Sequence, residues 1–295
     1  MSKTLLRSCP LLERAAESQS LPYAPFPWSL RRCADTGFVY LANPPAQDLF
    51  RDTFAWEVTH KTESRRRQQA EPAVHAMSEA VKTFRRRVLK RDKVATLGRR
   101  IACTLGTGPI RLVDVGCAEG TLIERIVAGI PADVAGRVEP IGIEISDHLA
   151  SVAGRTLSRR GGRCIHATGI EGLAMLEPAS VHMIVLSCIL EHEIEPLKLL
   201  RHCRERLTAD GRVIVKVPNF NCLGRLVRGR KWCGFRWPDH VNYFTATTLA
   251  SMAKSAGFDV VRMGLFDRSP LSDSLYAVLG GGCSSHRSHS VRAVA

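Results

Sequence analysis

Residues 110–120 read Ile110-Arg111-Leu112-Val113-Asp114-Val115-Gly116-Cys117-Ala118-Glu119-Gly120. The spacing predicts a strand over Ile110–Val115 that ends in a Gly-rich turn and opens into a helix over Thr121–Ala128. Small residues at Gly116, Ala118 and Gly120 permit a tight turn and a close approach of backbone to a ligand. The helix that follows offers unsatisfied N–H groups at its amino end. In an open α/β sheet this carboxyl edge of the strands is where ligands bind.

Outward from this turn, apolar runs alternate with helical patterns, which implies crossover units and a parallel sheet. Further strands are expected at Pro140–Ile145, Arg163–Ala167, Val181–Ser187, Arg212–Val217, Asp259–Leu265 and Leu275–Leu279, the fifth of the series entered by a turn at Asp210-Gly211. Helices are expected over Asp147–Arg159, Pro196–Leu207 and Thr247–Ala256, the last stopped by Gly257. A Gly-rich turn alone also fits a dinucleotide-binding dehydrogenase. Here Ala118 stands where the dinucleotide pattern wants its second glycine, and the third phosphate-binding position is missing. Acidic residues end the first two strands, Asp114 and Glu144, and a carboxylate at the second position can accept both hydroxyls of a ribose.

The 295 residues allow one large domain with a small companion. Apolar residues make up 45% and charged ones 24%, so a sizeable core is expected. Ten cysteines are scattered singly with no CxxC pair, which argues against a disulfide framework and an intact zinc knuckle. No apolar run is long enough for a signal peptide or membrane span, so a cytoplasmic protein is expected. We divide the chain into a loop-rich leader (1–60) with a short strand at Gly37–Leu41, a basic helical segment (61–100) with one long helix over 73–100, a main α/β domain (101–279), and a disordered tail (280–295). Much of the +14 net charge lies between residues 61 and 100, and a second group comprises Arg225, Arg228, Arg230, Lys231 and Arg236. Such clusters are either solvated faces or attract phosphates.

Four pieces in order, Val113 to Gly120, Gly142-Ile143-Glu144, Leu190-Glu191-His192, and Leu207-Thr208-Ala209-Asp210-Gly211 running into Arg212–Asn219, give the chain a family likeness. It resembles the class I S-adenosylmethionine-dependent methyltransferases, the group that includes the ubiquinone-biosynthesis O-methyltransferases and many bacterial small-molecule enzymes. The resemblance covers roughly residues 105–279. It implies a Rossmann-like α/β fold, a seven-stranded mostly parallel sheet with a reversed final strand and helices on both faces. It implies S-adenosyl-L-methionine as cofactor, with Asp114, Gly116, Cys117, Ala118 and Gly120 around the methionine part. Glu144 would take the ribose hydroxyls, Ile145 would pack on the adenine, Gly169 and Ile170 would border its edge, and Ser187 would lie beneath the sulfonium. Two positions depart from the family pattern: Val181-His182 replaces a Phe-Asp pair, and Asp210-Gly211 replaces Gly-Gly.

The segment Phe220–Phe244 carries two tryptophans, a tyrosine and a histidine, and is expected to form a lid over the acceptor. Trp237, Tyr243 and Arg236 are its candidate substrate-binding residues. His240 either acts as general base or bonds the loop backbone, and His192 either serves catalysis or the fold. Methyl transfer from a sulfonium draws much of its rate from alignment, so a strong base is not required. In the leader, Cys9-Pro10-Leu11-Leu12 and Cys33-Ala34-Asp35-Thr36 are similar to the zinc-ribbon-like leader of some bacterial sugar methyltransferases. Leu12 and Thr36 occupy the second position of each pair, and two thiolates cannot fill a tetrahedral zinc site, so no metal is expected. The expected activity is methyl transfer to a small molecule, a sugar or another glycan- or lipid-linked acceptor, including an anionic one. The alternatives are an RNA methyltransferase that uses the basic surface and a non-catalytic binding protein on a relic fold.

Overall fold

Alternation of apolar side chains sets the sheet. The computed structural model describes residues 6–12, 14–45, 76 and 92–281. Three short strands come first: β1 (Ser18–Leu21), β2 (Leu30–Cys33) and β3 (Val39–Leu41). Then follow α1 (Lys93–Ala102), β4 (Ile110–Val115), α2 (Thr121–Val127), α3 (Ala132–Ala135) and β5 (Val138–Glu144). The middle of the chain gives α4 (Asp147–Ser158), β6 (Arg163–His166), α5 (Gly169–Ala174), β7 (Val181–Ser187), α6 (Pro196–Arg206) and β8 (Leu207–Pro218). The last elements are α7 (Leu223–Arg228), β9 (Asn242–Tyr243), α8 (Ala246–Ser255), β10 (Phe258–Arg262) and β11 (Ser274–Gly281).

Seven strands form one sheet in the order β10-β11-β8-β7-β4-β5-β6. The pairs among β4 to β8 are parallel, and β11 runs antiparallel to both β8 and β10. This is the expected fold: mostly parallel, with a reversed final strand. On β4, β7 and β8, residues such as Val113, Val115, Ile184, Leu186, Val213 and Val215 face one helical layer with Leu173, Leu197, Leu200, Leu249 and Met252. Their neighbours Leu112, Met183, Val185 and Ile214 face the other, with Leu97, Ile101, Ile123, Ile126 and Leu157. The period of two sorts consecutive residues to opposite faces, and burial of both faces explains the near-continuous apolar runs. Strand β4 is flanked by β5 on one side and β7 on the other, so the chain order reverses there and a crevice opens at the strands' carboxyl ends.

Three expectations change. The turn at Asp210-Gly211 is absorbed into β8, whose register against β7 jumps from Val181↔Leu207 to Met183↔Arg212. The extra residues bulge out of an unbroken strand instead of ending it. The last strand reaches Gly281, two residues into the stretch expected as tail, because Gly280 and Gly281 pair with Asp259 and Phe258. The single helix over 73–100 does not run through Asp92, whose carboxylate accepts the Ala95 N–H and caps α1. The rest of that basic segment, apart from Ala76, and the tail beyond residue 281 lie outside the described residues.

The leader does not stand apart. Its strands form a second sheet, β1-β2-β3-β9, completed by a strand from the far end of the chain. Cys9, Leu11, Cys33, Phe38 and Tyr40 join the core of the first helical layer. Leu30 and Val39 pack with Phe220, Trp232, Phe235 and Tyr243 in an aromatic cluster. No helix among the described residues is long and apolar enough to cross a membrane.

Candidate active site

The turn after β4 adopts left-handed backbone conformations, which glycine accepts readily and Ala118 only at a cost in strain. Gly116, Ala118 and Gly120 all have positive φ, at 67°, 48° and 79°. A Cβ on Gly116 would sit 2.1 Å from Ile189 Cδ1, so this glycine also serves a close approach between the β4 and β7 turns. The turn is folded over the end of β5: the N–H groups of Gly116 and Cys117 donate to the Ile143 carbonyl at 2.7 and 3.2 Å. Glu144 Oε2 accepts the Ala118 N–H at 2.8 Å and its Oε1 accepts the Ser146 N–H at 3.0 Å. Two backbone donors thus aim the carboxylate. Asp114 is 2% exposed, and burial pushes its carboxyl up to about 8, with Arg125 pulling it down and Glu144 raising it further.

A cavity of about 430 Å³ opens at the carboxyl ends of β4, β5 and β7. Asp114, Gly116, Cys117 and Ala118 line it from the β4 turn, Glu144 and Ile145 from β5, Gly169 from α5, and Ser187 and His192 from the end of β7. Gly120 does not line it and instead opens α2 as its N-cap. Ile170 turns toward the apolar core. Sequence reasoning missed Thr168, which also lines the cavity and caps α5 through a reciprocal capping box with Glu171, although Thr168-x-x-Glu171 is a readable signal. It also missed Cys188, held at a φ of 63°, and Ile189 and Ile194 beyond it. The departure at His182 has a structural use: its Nδ1 accepts the Arg111 N–H at 3.1 Å at the start of β4.

At the far end of the cavity two histidines meet. The His192 and His240 rings pack edge to face, with centroids 4.7 Å apart. His192 Nδ1 lies 3.0 Å from the Asp239 carbonyl and His240 Nδ1 lies 2.8 Å from the Gly234 carbonyl. A carbonyl only accepts, so in each ring Nδ1 carries the proton and the lone pair is on Nε2. Burial, reinforced by Arg236, lowers His192 to about 3, and burial raises Glu191 to about 7. His240 does not line the cavity and reaches it only through His192.

The three candidate substrate residues sit elsewhere. Tyr243 lies in β9, 2% exposed, inside the aromatic cluster, because pairing with Val39 of the leader turns it inward. Trp237 stacks on Phe235 at 5.5 Å. Arg236 donates to Asp239 at 2.7 Å. None of the three lines the cavity. The expected lid is therefore a packed layer whose aromatics face the leader. In the second basic group, Arg225 is buried 4.1 Å over the Phe220 ring and donates to the Phe220 carbonyl. In the leader, the two knuckle positions come together: Cys9 Sγ is 3.7 Å from Thr36 Oγ1, and both Cys9 and Cys33 are 1% exposed.

A glycine turn on β4, an aimed carboxylate on β5 and an open-mouthed cavity at the switch point match what a class I S-adenosylmethionine-dependent methyltransferase requires. A family model described as a methyltransferase domain matches residues 66–263. The chain belongs to that family. The ubiquinone biosynthesis O-methyltransferase of Cupriavidus pinatubonensis is 30% identical over 170 residues, covering 55% of this chain and 65% of that protein. The protein of the same name from Cereibacter sphaeroides is 29% identical over 176 residues, covering 57% and 67%. The chain thus spans slightly less than two thirds of the first of these relatives. Among solved structures, a SAM-dependent methyltransferase from Archaeoglobus fulgidus is similar at 22% identity with a TM-score of 0.43, over 56% of this chain and 67% of that one.

The family's cofactor is S-adenosylmethionine, and the residues present fit it. The turn from Gly116 to Ala118 lines the cavity with backbone and small side chains, so a ligand can approach it closely. The Glu144 carboxylate suits vicinal hydroxyls, and Ile145 and Leu149 offer apolar walls to a base.

Proposed function

We propose that this chain methylates a hydroxyl oxygen of a small-molecule acceptor seated at the Ser187–Ile194 end of the cavity. The observation that carries this reading is the continuity of one cavity from Asp114 and Glu144 to His192. When bound, S-adenosylmethionine supplies an electrophilic methyl group. Glu144 holds the ribose hydroxyls, and the turn from Gly116 to Gly120 with Asp114 holds the methionine part. In this reading His192, neutral with its lone pair on Nε2, accepts the acceptor's proton. The Asp239 carbonyl and the His240 ring fix the position of that ring, and alignment supplies much of the rate. The O-methyltransferase names of the relatives support oxygen as the methylated atom.

A sugar or glycan-linked acceptor is the second reading, favoured by the leader. It is joined to the acceptor side through β3 and β9 and retains the knuckle positions in a form we read as metal-free. RNA is less well supported, since Arg225 and Arg236 of the second basic group are engaged internally. The singly scattered cysteines favour a reducing, cytoplasmic setting.

Calorimetric titration with S-adenosylmethionine and S-adenosylhomocysteine, with NAD as control, tests the reading. Binding of the first two and not of NAD is expected, followed by methyl incorporation into a panel of phenols, catechols and sugar nucleotides. Binding of NAD alone would overturn it.

A further inference from the structure

Glu191, His192 and His240 each place one ligand atom so that the three lie within 4.8 Å of one another. They come from two separate segments, the turn after β7 and the approach to β9. Those segments are laced tightly: Val241 and Asn242 donate their N–H groups to the Glu191 carbonyl at 2.7 and 3.1 Å, and Asn242 Nδ2 donates to the carbonyls of Leu190 and Glu193. Arg7 of the leader adds hydrogen bonds to Ile194 O and Val241 O. The three side chains are thus held together by backbone contacts as well as by the edge-to-face packing of the two imidazoles.

Two features point to a ligand. Both imidazoles spend Nδ1–H on a backbone carbonyl, which leaves the lone pair on Nε2, the arrangement by which proteins orient metal-binding histidines. Glu191 is 1% exposed, and its Oε2 has no hydrogen-bond partner. A buried carboxylate oxygen in that state is costly and calls for a counter-charge. Arg236 is bonded to Asp239 at 2.7 Å and Lys216 to the Cys188 thiol, and both cations act on Glu191 only through space.

We propose that Glu191, His192 and His240 form a three-ligand site for a borderline divalent cation of the zinc or cobalt kind. Two imidazoles and one carboxylate suit such ions better than calcium or magnesium, which prefer oxygen ligands. Three protein ligands leave a coordination position open, as in catalytic rather than structural sites. His192 lines the cavity, so the site adjoins its acceptor end, and we propose that the open position serves the acceptor. A hydroxyl oxygen bound there gives up its proton to solvent near neutral pH, as metal-bound water does, and the cation then takes over deprotonation from His192, whose Nε2 lone pair is spent on the metal. This substrate role rests on the proposed oxygen methylation; the cation site itself does not.

Cobalt(II) is the test. Titration of the full chain should give a visible absorption band at one equivalent and displacement by Zn²⁺, with Mg²⁺ ineffective. Glu191→Gln and His240→Asn should each weaken Co²⁺ binding by about a hundredfold or more. Binding of S-adenosylhomocysteine, measured on each variant, reports that the fold is intact; a variant that loses it is replaced by His192→Asn. Absence of the band, or a band unchanged in correctly folded variants and therefore arising from other thiols or histidines, would overturn the site. Cofactor binding without cobalt binding sinks this inference alone, and cobalt binding without cofactor binding sinks the methyltransferase reading alone.

Discussion

Glu144 and Ala118, 26 positions apart, are joined by a 2.8 Å hydrogen bond from the Ala118 N–H to Glu144 Oε2. The residue proposed to hold the ribose therefore also fixes the turn proposed to hold the methionine part. Replacing it removes a ligand contact and leaves two backbone donors, Ala118 N–H and Ser146 N–H, without their acceptor. Glu144→Ala should weaken S-adenosylmethionine binding by at least about tenfold, or about 1.4 kcal/mol, and lower stability by about 1–3 kcal/mol for the lost backbone partners. Calorimetry and urea denaturation separate the two effects. Unchanged affinity would break the ribose assignment.

Asp114 gives a pH dependence with a definite sign. Its carboxyl is raised from 3.8 to about 8 in the fold, chiefly by burial. The stability linked to its protonated form is complete below the unfolded value near 4 and is lost as pH rises toward 8. Asp114→Asn should therefore raise the melting temperature of the cofactor-free protein more at pH 8 than at pH 5. A cationic ligand favours the carboxylate, so cofactor binding at pH 7 should release a proton. Calorimetry in buffers of different ionisation enthalpy measures that release, and Asp114→Asn should abolish it along with much of the affinity. No proton release from the unmutated protein would argue against contact between Asp114 and the cofactor's cation.

Gly116 faces two obstacles to substitution. Its φ of 67° costs an alanine about 1–2 kcal/mol, and the new Cβ would meet Ile189 Cδ1 at 2.1 Å. That methyl is the end of a flexible side chain and can swing away, but Ile189 lines the cavity. Gly116→Ala should cost cofactor affinity as well as stability. Adding Ile189→Ala should restore part of the affinity while the backbone cost persists. Equal losses in the single and double variants would show that the contact with Ile189 does not matter.

The parallel sheet was legible because each central strand announces itself locally. Val113 and Val115, or Ile184 and Leu186, need only their neighbours to read as buried strand. The cofactor turn was legible for the same reason: strand, small residues and helix are contiguous. What escaped depends on distant partners. Nothing near Asn242-Tyr243 signals a strand until Val39 and Tyr40 lie beside it. Asp210-Gly211 carries a turn signature, yet pairing of Val181 and Met183 across the bulge keeps β8 continuous. Tyr243 and Trp237 read as substrate aromatics because a polar, aromatic-rich loop looks exposed, and only the packing around the leader reveals Tyr243 as core and Trp237 as a half-buried ring against it. The meeting of Glu191 with His240 likewise depends on Asn242 binding Leu190 and Glu193.

Arg7 is the fastening between leader and catalytic body. Its guanidinium donates to Leu41 O, Ile194 O, Val241 O and Asn242 Oδ1 at 2.6–3.0 Å. Arg7→Met keeps the aliphatic stem but leaves these acceptors without their charged donor. A loss of about 3 kcal/mol is expected, in keeping with charge-assisted hydrogen bonds. Because the leader shares its core with the sheet, unfolding should remain a single transition. A separate early transition in Arg7→Met, followed by circular dichroism and tryptophan fluorescence, would instead mean that the leader folds as an independent unit.

Tyr243 decides whether the aromatic layer touches substrate. Its hydroxyl is buried with no hydrogen-bond partner. An unsatisfied buried hydroxyl costs about 1–3 kcal/mol, and removing it from a packed ring relieves that cost without opening a large cavity. Tyr243→Phe is therefore expected to stabilise the protein by about 1 kcal/mol in denaturant titration and to leave kcat and KM unchanged. If the hydroxyl binds the acceptor after a rearrangement of this layer, KM rises in the variant while cofactor affinity stays constant. That result would return Tyr243 to the substrate site and make the layer a moving lid.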